Sequence, residues 1–371
     1  MNLQNLSLIN FKNYGEVDLN FSPKINCFIG QNGVGKTNLL DAIYYLSMCK
    51  SYLNPIDSQN IKYDTDFFVI QGNYIYKESK ESIYCGIKRN KKKQFKRNKK
   101  EYQKLADHIG LLPIVMISPM DSNLILDGSE ERRKFIDGVI SQYDKEYLDN
   151  LIKYNRALAQ RNKLLKDFYQ TRSFDEDTVD IWDEQMAVFG EKIHAVRVKF
   201  VEQLIPIFQE YYTRISGNNE QVQLVYDSQL FEGEYRKLLK KAQSKDRIVQ
   251  HTSVGIHKDD LILTLQNYPI KKAGSQGQQK TYLVSLKLAQ FDFIKKISGI
   301  KPILLLDDIF DKFDKQRVRQ ILELVAENHF GQIFITDTSQ DRLETILEEV
   351  KIPFNLFLIN SEGNVNINAK E

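Results

Sequence analysis

The spacing of apolar positions changes twice along this chain and divides it into three regions. In the first, Leu6, Leu8, Ile9 and Phe11, then Val17, Leu19 and Phe21, alternate with polar residues around Asn13-Tyr14-Gly15. That pattern predicts two strands joined by a turn. Ile25 to Ile29 is a short apolar run, followed by a helix start at Asn38-Leu39-Leu40-Asp41-Ala42-Ile43. β-Rich sequence runs from Phe67 to Ile87, and Leu112 to Ile117 reads as an apolar strand ending at Ser118-Pro119.

The middle region has helical spacing. Tyr147, Leu151, Tyr154 and Leu158 lie on one seam, and Trp182, Met186, Phe189, Ile193, Val196, Phe200 and Leu204 lie on another. Such seams belong to packed, coiled-coil-like helices, so residues 126–245 are predicted to form a helical insert whose aromatic stripe serves packing. Arms of about 50 residues would reach at most roughly 75 Å. The third region returns to short apolar strands, Leu261–Leu265, Ile303–Leu306 and Gln332–Thr336, with a helix from Thr281 to Ile297. Apolar strands alternating with helices predict a parallel sheet covered on both faces. The expected fold class is therefore α/β, a head split into residues 1–125 and 246–371 by the insert.

Composition narrows the function. The 371 residues carry a net charge of +3, with no apolar run long enough to span a membrane. Cys27, Cys49 and Cys85 lack metal-ligand spacing and suit a reducing cytosol, and the five histidines are scattered. Nine Lys/Arg and no acid lie between Lys88 and Lys100, so the rest of the chain carries −6 (3 minus 9). Positive charge concentrated in this way marks a polyanion-binding element whose affinity falls steeply with salt. A solvated lysine-rich hairpin is the alternative.

Gly30-Gln31-Asn32-Gly33-Val34-Gly35-Lys36-Thr37 fits the phosphate-binding P-loop, between the predicted strand and helix that such a loop requires. Its backbone N–H groups would cradle the phosphates of a nucleoside triphosphate. Lys36 would reach the β/γ-phosphates, and the Thr37 hydroxyl would hold Mg²⁺. The apolar strand Ile303-Leu304-Leu305-Leu306 ends in Asp307-Asp308, a Walker B pattern. Asp307 would bind Mg²⁺ opposite Thr37, and Asp308 would orient or deprotonate the attacking water. The span from Lys36 to Asp307 is explained by the insert.

Gly274-Ser275-Gln276-Gly277-Gln278-Gln279-Lys280 is a glycine-containing turn before a helix, a candidate anion site. Before a Walker B strand it resembles the signature motif of ATP-binding-cassette ATPases. That likeness assigns Ser275, Gly277 and Gln278 to the γ-phosphate held by a second subunit, and Asp314 to the D-loop. Asn10-Phe11-Lys12-Asn13-Tyr14, Ser129-Glu130-Glu131-Arg132-Arg133-Lys134-Phe135-Ile136-Asp137, Gln160-Arg161-Asn162-Lys163-Leu164-Leu165-Lys166 and Gly255-Ile256-His257-Lys258-Asp259-Asp260 add to these motifs. Together they resemble, almost end to end, the RecF family of SMC-like DNA-repair ATPases.

The resemblance implies a cytosolic recombination mediator that binds gapped or duplex DNA as an ATP-bound homodimer. It also implies help from RecO and RecR partners in loading RecA recombinase, and Asp308, one methylene shorter than the glutamate of transport ATPases, predicts slow ATP hydrolysis. A nuclease-linked SMC-like ATPase is the other reading, and a membrane transporter subunit a more distant one. The switch histidine of transport cassettes has no counterpart near Thr336-Asp337-Thr338.

Overall fold

A computed structural model of the chain describes residues 1–217, 220–309, 315–326, 330–350, 353–360 and 365–370. The chain forms two compact units, one from Met1–Asp121, Tyr211–Gly217 and Lys280–Glu371, the other from Ser122–Glu210 and Asn218–Gln279. No helix among the described residues is long and apolar enough to cross a membrane.

The first unit contains two sheets. One is antiparallel, in the order Tyr14–Asn20, Asn2–Phe11, Phe67–Tyr76, Ser79–Lys88, Gln94–Arg97, Lys100–Glu101. It confirms the alternation at the start of the chain, because Leu6, Leu8 and Phe11 are buried on one face. The other has the order Val365–Lys370, Phe354–Ile359, Ile25–Ile29, Ile333–Asp337, Ile303–Asp307, Ile114–Ile117. All neighbours in it pair in parallel except the first two strands. Every residue of Ile25–Ile29, Ile303–Asp307 and Ile333–Asp337 is buried, as the unbroken apolar runs predict. Phe21, Phe28, Phe334 and Phe357 pack across this sheet, with Phe21 and Phe334 centroids 4.9 Å apart.

In the second unit, Lys145–Thr171 and Tyr235–Val249 run parallel. The contacts that show this are Tyr154 to Tyr235 (2.8 Å between hydroxyls) and Arg161 to Asp246 (2.7 Å). The helix Glu176–Ser216 runs antiparallel to the first, pairing Lys192 with Glu146 and Asp183 with Arg161. In the aromatic stripe Tyr147, Tyr154 and Phe200 are buried packing residues, and Trp182 and Phe189 are half-buried. The helices have 27, 41 and 15 residues, so the first is about 40 Å long rather than a 75 Å arm.

Two expectations are corrected. Asp260–Leu265 does not join the parallel sheet. It is the centre of a three-stranded antiparallel sheet, between Val222–Asp227 and Tyr268–Pro269. The strand Val222–Asp227 lies within the stretch predicted to be helical, and the helix Tyr235–Val249 crosses the predicted boundary at 245. The second unit accordingly extends to Gln279, because its last strands and helices bury their apolar faces against its own core. Ser275, Gly277 and Gln278 therefore belong to this unit and not to the C-terminal lobe.

Candidate functional site: a P-loop joined to a paired acidic strand end

The P-loop strand Ile25–Ile29 and the strand Ile303–Asp307 flank Ile333–Asp337, with Asp337 opposite Ile29 and Thr336 opposite Asp307. This register brings the loop after the first strand and the acids after the second to the same edge. Thr37 Oγ1 donates to Asp307 Oδ1 at 2.8 Å across 270 residues of sequence. Thr336 Oγ1 donates to the same oxygen at 2.9 Å and accepts from the Asp308 N–H at 2.8 Å. Thr336, to which the sequence assigned no role, thus fixes both acids. Asp308 has φ 47°, in the left-handed region that aspartate enters more readily than most non-glycine residues.

Glycine is required at two loop positions. Gly35 has φ 110°, and a Cβ there would lie 2.4 Å from Asn13 Nδ2; a Cβ on Gly30 would meet the Ile359 carbonyl at 2.6 Å. The loop is gripped from outside by Asn13 and Tyr14. Asn13 Nδ2 donates to Val34 O at 3.0 Å, Asn13 Oδ1 accepts from Asn38 Nδ2 at 2.7 Å, and the Tyr14 hydroxyl donates to Gly35 O at 3.1 Å. Next to this clasp, Lys12 Nζ pairs with buried Asp41 of the P-loop helix at 2.5 Å. Ser51 and the Tyr52 N–H also donate to Asp41. The Tyr52 hydroxyl and Lys287 Nζ then converge on Asp121, at 2.6 and 2.7 Å. The signal that could have pointed to the clasp is the polar run Lys12-Asn13-Tyr14, placed in a turn where packing needs no amide.

Among the described residues, the backbone N–H groups of Asn32, Gly33 and Gly35 meet no protein acceptor. Lys36 Nζ reaches back to the carbonyls of Gly30 and Gln31, at 2.7 and 2.9 Å. Orphan donors, a helix N-terminus and one ammonium form a cradle that fits a polyphosphate. Burial lowers the Lys36 pKa, opposed by Asp308, Asp307 and Asp337. The oxygens of Thr37 and Asp307 suit a hard divalent cation that takes its remaining ligands from phosphate and water.

Burial raises the Asp307 pKa, against the hydroxyls of Thr37 and Thr336 and with the added push of Asp308. A carboxylate raised in this way weakens the fold while it stays charged, and the penalty is relieved as pH falls through its folded pKa. Asp307→Asn keeps an oxygen acceptor for both threonines and removes the charge. The variant is expected to resist urea better than the parent at pH 7, with the difference shrinking as pH falls. An unchanged urea midpoint at pH 7 would contradict this.

Ser275, Gly277 and Gln278 stand at the start of the helix Gln276–Ser298. The Ser275 N–H donates to Gln278 Oε1 at 2.8 Å, and Ser275 Oγ accepts from the Gln278 N–H at 3.2 Å. This is a capping box, readable from the Ser-x-x-Gln spacing but missed in the sequence. Gln278 Nε2 also donates to Glu220 at 2.8 Å. Asp314 lies outside the described residues.

The other motifs of the resemblance build the interior of the second unit. Arg132 makes a bidentate pair with Asp260 (2.6 and 2.9 Å), and Arg133 donates to Asp259 O. Buried Arg197 joins Asp137 and Asp259, both at 2.9 Å. The Lys88–Lys100 run is a pair of hairpins whose charge is partly neutralised. Arg97 pairs with Glu81 (2.6 Å) and Lys93 with Asp57 (2.8 Å), whereas Lys88, Lys91, Lys92, Lys99 and Lys100 are exposed without an ion pair among the described residues.

The model of the RecF/RecN/SMC N terminal domain matches residues 2–355. The DNA replication and repair protein RecF of Phocaeicola vulgatus is 55% identical over 367 residues, 98% of each chain. That of Flavobacterium johnsoniae is 52% identical, over 96% of this chain and 99% of its own. A solved structure of the recombination mediator protein RecF-ATP in the RecFOR pathway superposes with a TM-score of 0.89 at 31% identity, covering 99% of this chain and 97% of that one. The Smc head domain of Pyrococcus furiosus shares the fold, with a TM-score of 0.59 at 16% identity. Matched along nearly its whole length by RecF proteins and carrying the split head of the SMC class, the chain belongs to the RecF family of DNA replication and repair proteins.

Proposed function

We propose that the chain is an ATP-switched DNA-binding protein of gap repair. The observation that carries this reading is the Thr37–Asp307–Thr336 junction beside the orphan N–H groups of the P-loop, which assembles a nucleotide site from both ends of the chain. Lys36 and the loop amides bind the β- and γ-phosphates, and Thr37 and Asp307 hold Mg²⁺. Bound Mg²⁺ supplies charge compensation for the triphosphate. Asp308, fixed through its N–H, orients the attacking water. Its carboxylate is one methylene shorter than a glutamate, which favours slow hydrolysis, so ATP acts as a timer and DNA binding is the output.

In this reading Ser275, Gly277 and Gln278 of one subunit, with Asp314, meet the γ-phosphate held by the other, and ATP closes a homodimer on gapped or duplex DNA. RecR and RecO are the partners through which the dimer assists RecA loading, in the cytoplasm. The capping box supports the signature assignment in one respect: it fixes the first turn, leaving the N–H groups of Gln276 and Gly277 at the helix N-terminus. The exposed lysines of the 88–100 hairpins are the proposed phosphodiester contacts.

Sedimentation with no nucleotide, with ADP, and with ATP plus Mg²⁺, each with and without a gapped duplex, tests the proposal. An ATP-specific monomer-to-dimer shift that strengthens DNA binding is expected. Ser275→Arg should bind ATP as the parent does but stay monomeric; a normal ATP dimer in that variant would remove Ser275 from the site.

A further inference from the structure

The parallel helices Lys145–Thr171 and Tyr235–Val249 end side by side in the second unit. Each is closed by a left-handed residue, Arg172 at φ 55° and Gln250 at φ 60°. Between their last turns lies a groove of about 800 Å³, lined among others by Leu165, Phe168, Tyr169, Arg172, Arg247 and Ile248. Two large apolar side chains of its lining are exposed, Ile248 at 75% and Tyr169 at 60%.

The charge in the lining of the groove is of one sign. Its lining contains two arginines and no carboxylate. On the helix Tyr235–Val249, Lys241 and Lys245 are exposed and make no ion pair among the described residues. Earlier on the same helix the cations are matched, Arg236 by Glu184, Lys237 by Glu234 and Lys240 by Glu176. Asp175 is tied to Thr178 within its own turn, and Asp167 and Asp177 do not line the groove. Arg247 is also held in place: its guanidinium lies 4.0 Å over the Phe174 ring, and Phe174 packs edge-on against Phe168 at 5.4 Å. A stacked guanidinium loses little freedom when it takes a carboxylate.

We propose that this groove docks a short acidic segment of a partner protein. An apolar side chain of the segment seats between Tyr169 and Ile248, and its carboxylates meet Arg172 and Arg247. A nucleic acid would use the cations and could stack a base on Tyr169 but would leave the aliphatic Ile248 in water, so the combination favours a peptide. A merely solvating lysine cluster explains the charge and not the exposed Ile248.

The test pans a random peptide library displayed on phage against the full chain, then measures the enriched peptides by fluorescence anisotropy. The expected consensus contains Asp or Glu with a large apolar residue. Ile248→Ser and the pair Arg172→Glu/Arg247→Glu should each weaken binding by about tenfold, the charge-reversed pair also losing most of the salt dependence. Unchanged circular dichroism and ATP binding in both variants establish that they are folded. The proposal is overturned if no enriched peptide distinguishes the variants from the parent, or if the enriched peptides are basic. It is equally overturned if a short single-stranded oligonucleotide binds with the same variant sensitivity and displaces the peptides.

Discussion

Lys36→Ala is expected to weaken ATP binding by about two orders of magnitude while leaving the protein folded. The loss follows from geometry. Lys36 Nζ sits 2.7 and 2.9 Å from the Gly30 and Gln31 carbonyls, inside the loop that would wrap the phosphates. Each charge-assisted hydrogen bond to phosphate contributes about 1.5–3 kcal/mol, and about 1.4 kcal/mol is a factor of ten. The predicted absence of unfolding follows from the sign of the pKa shift. Burial lowers the Lys36 pKa, so the charged ammonium weakens the fold wherever the unfolded chain would hold the proton, and truncation removes that penalty. Isothermal titration with ATP plus Mg²⁺ and a urea melt of the nucleotide-free protein separate the two effects. ATP affinity equal to the parent's would remove the P-loop assignment. A collapsed urea midpoint would instead make Lys36 a structural residue.

The parts of this site legible in the sequence are those whose signal is local. The P-loop glycines, Lys36 and Thr37 follow one another, and Ile303–Asp307 declares itself as an apolar run closed by acids. What joins them is non-local. Thr336 looks like the end of one more buried strand, and only the parallel register at Asp307 gives its hydroxyl a purpose. Asn13 and Tyr14 read as a turn, and which loop a turn grips is set by tertiary packing. The sheet assignment of Asp260–Leu265 failed for a related reason: five apolar-rich residues read alike in a parallel and an antiparallel sheet, and the partner Val222–Asp227 was hidden in a stretch dominated by helical spacing. The basic run was visible as charge, but its neutralisation by Glu81 and Asp57 depends on pairings that spacing does not encode.

Arg161→Ala is expected to be the most destabilising single change in the second unit, costing about 3–5 kcal/mol. Arg161 and Asp246 are fully buried and Asp183 nearly so; the guanidinium reaches Asp183 at 2.5 Å, Asp246 at 2.7 Å and Thr252 Oγ1 at 2.9 Å. Asn162, its neighbour, accepts from the N–H and hydroxyl of Thr252, both at 2.7 Å, and Asp246 accepts from the N–H and hydroxyl of Ser253. The cluster therefore ties three helices to the chain that leads into Gly255–Asp260. Truncating the arginine leaves two carboxylates buried without their cation. That loss is comparable with a large share of the roughly 5–15 kcal/mol that holds a typical domain together. The attraction itself need not be what the fold gains, since desolvating three charges offsets most of it. Arg161→Met/Asp183→Leu/Asp246→Leu separates the two contributions. It should recover most of the loss in a urea melt, while the Ser253 amide, deprived of its Asp246 acceptor, exchanges its hydrogen faster. A triple variant as unstable as Arg161→Ala would show that the ion cluster itself, and not the exposed cost of unpaired acids, stabilises the second unit.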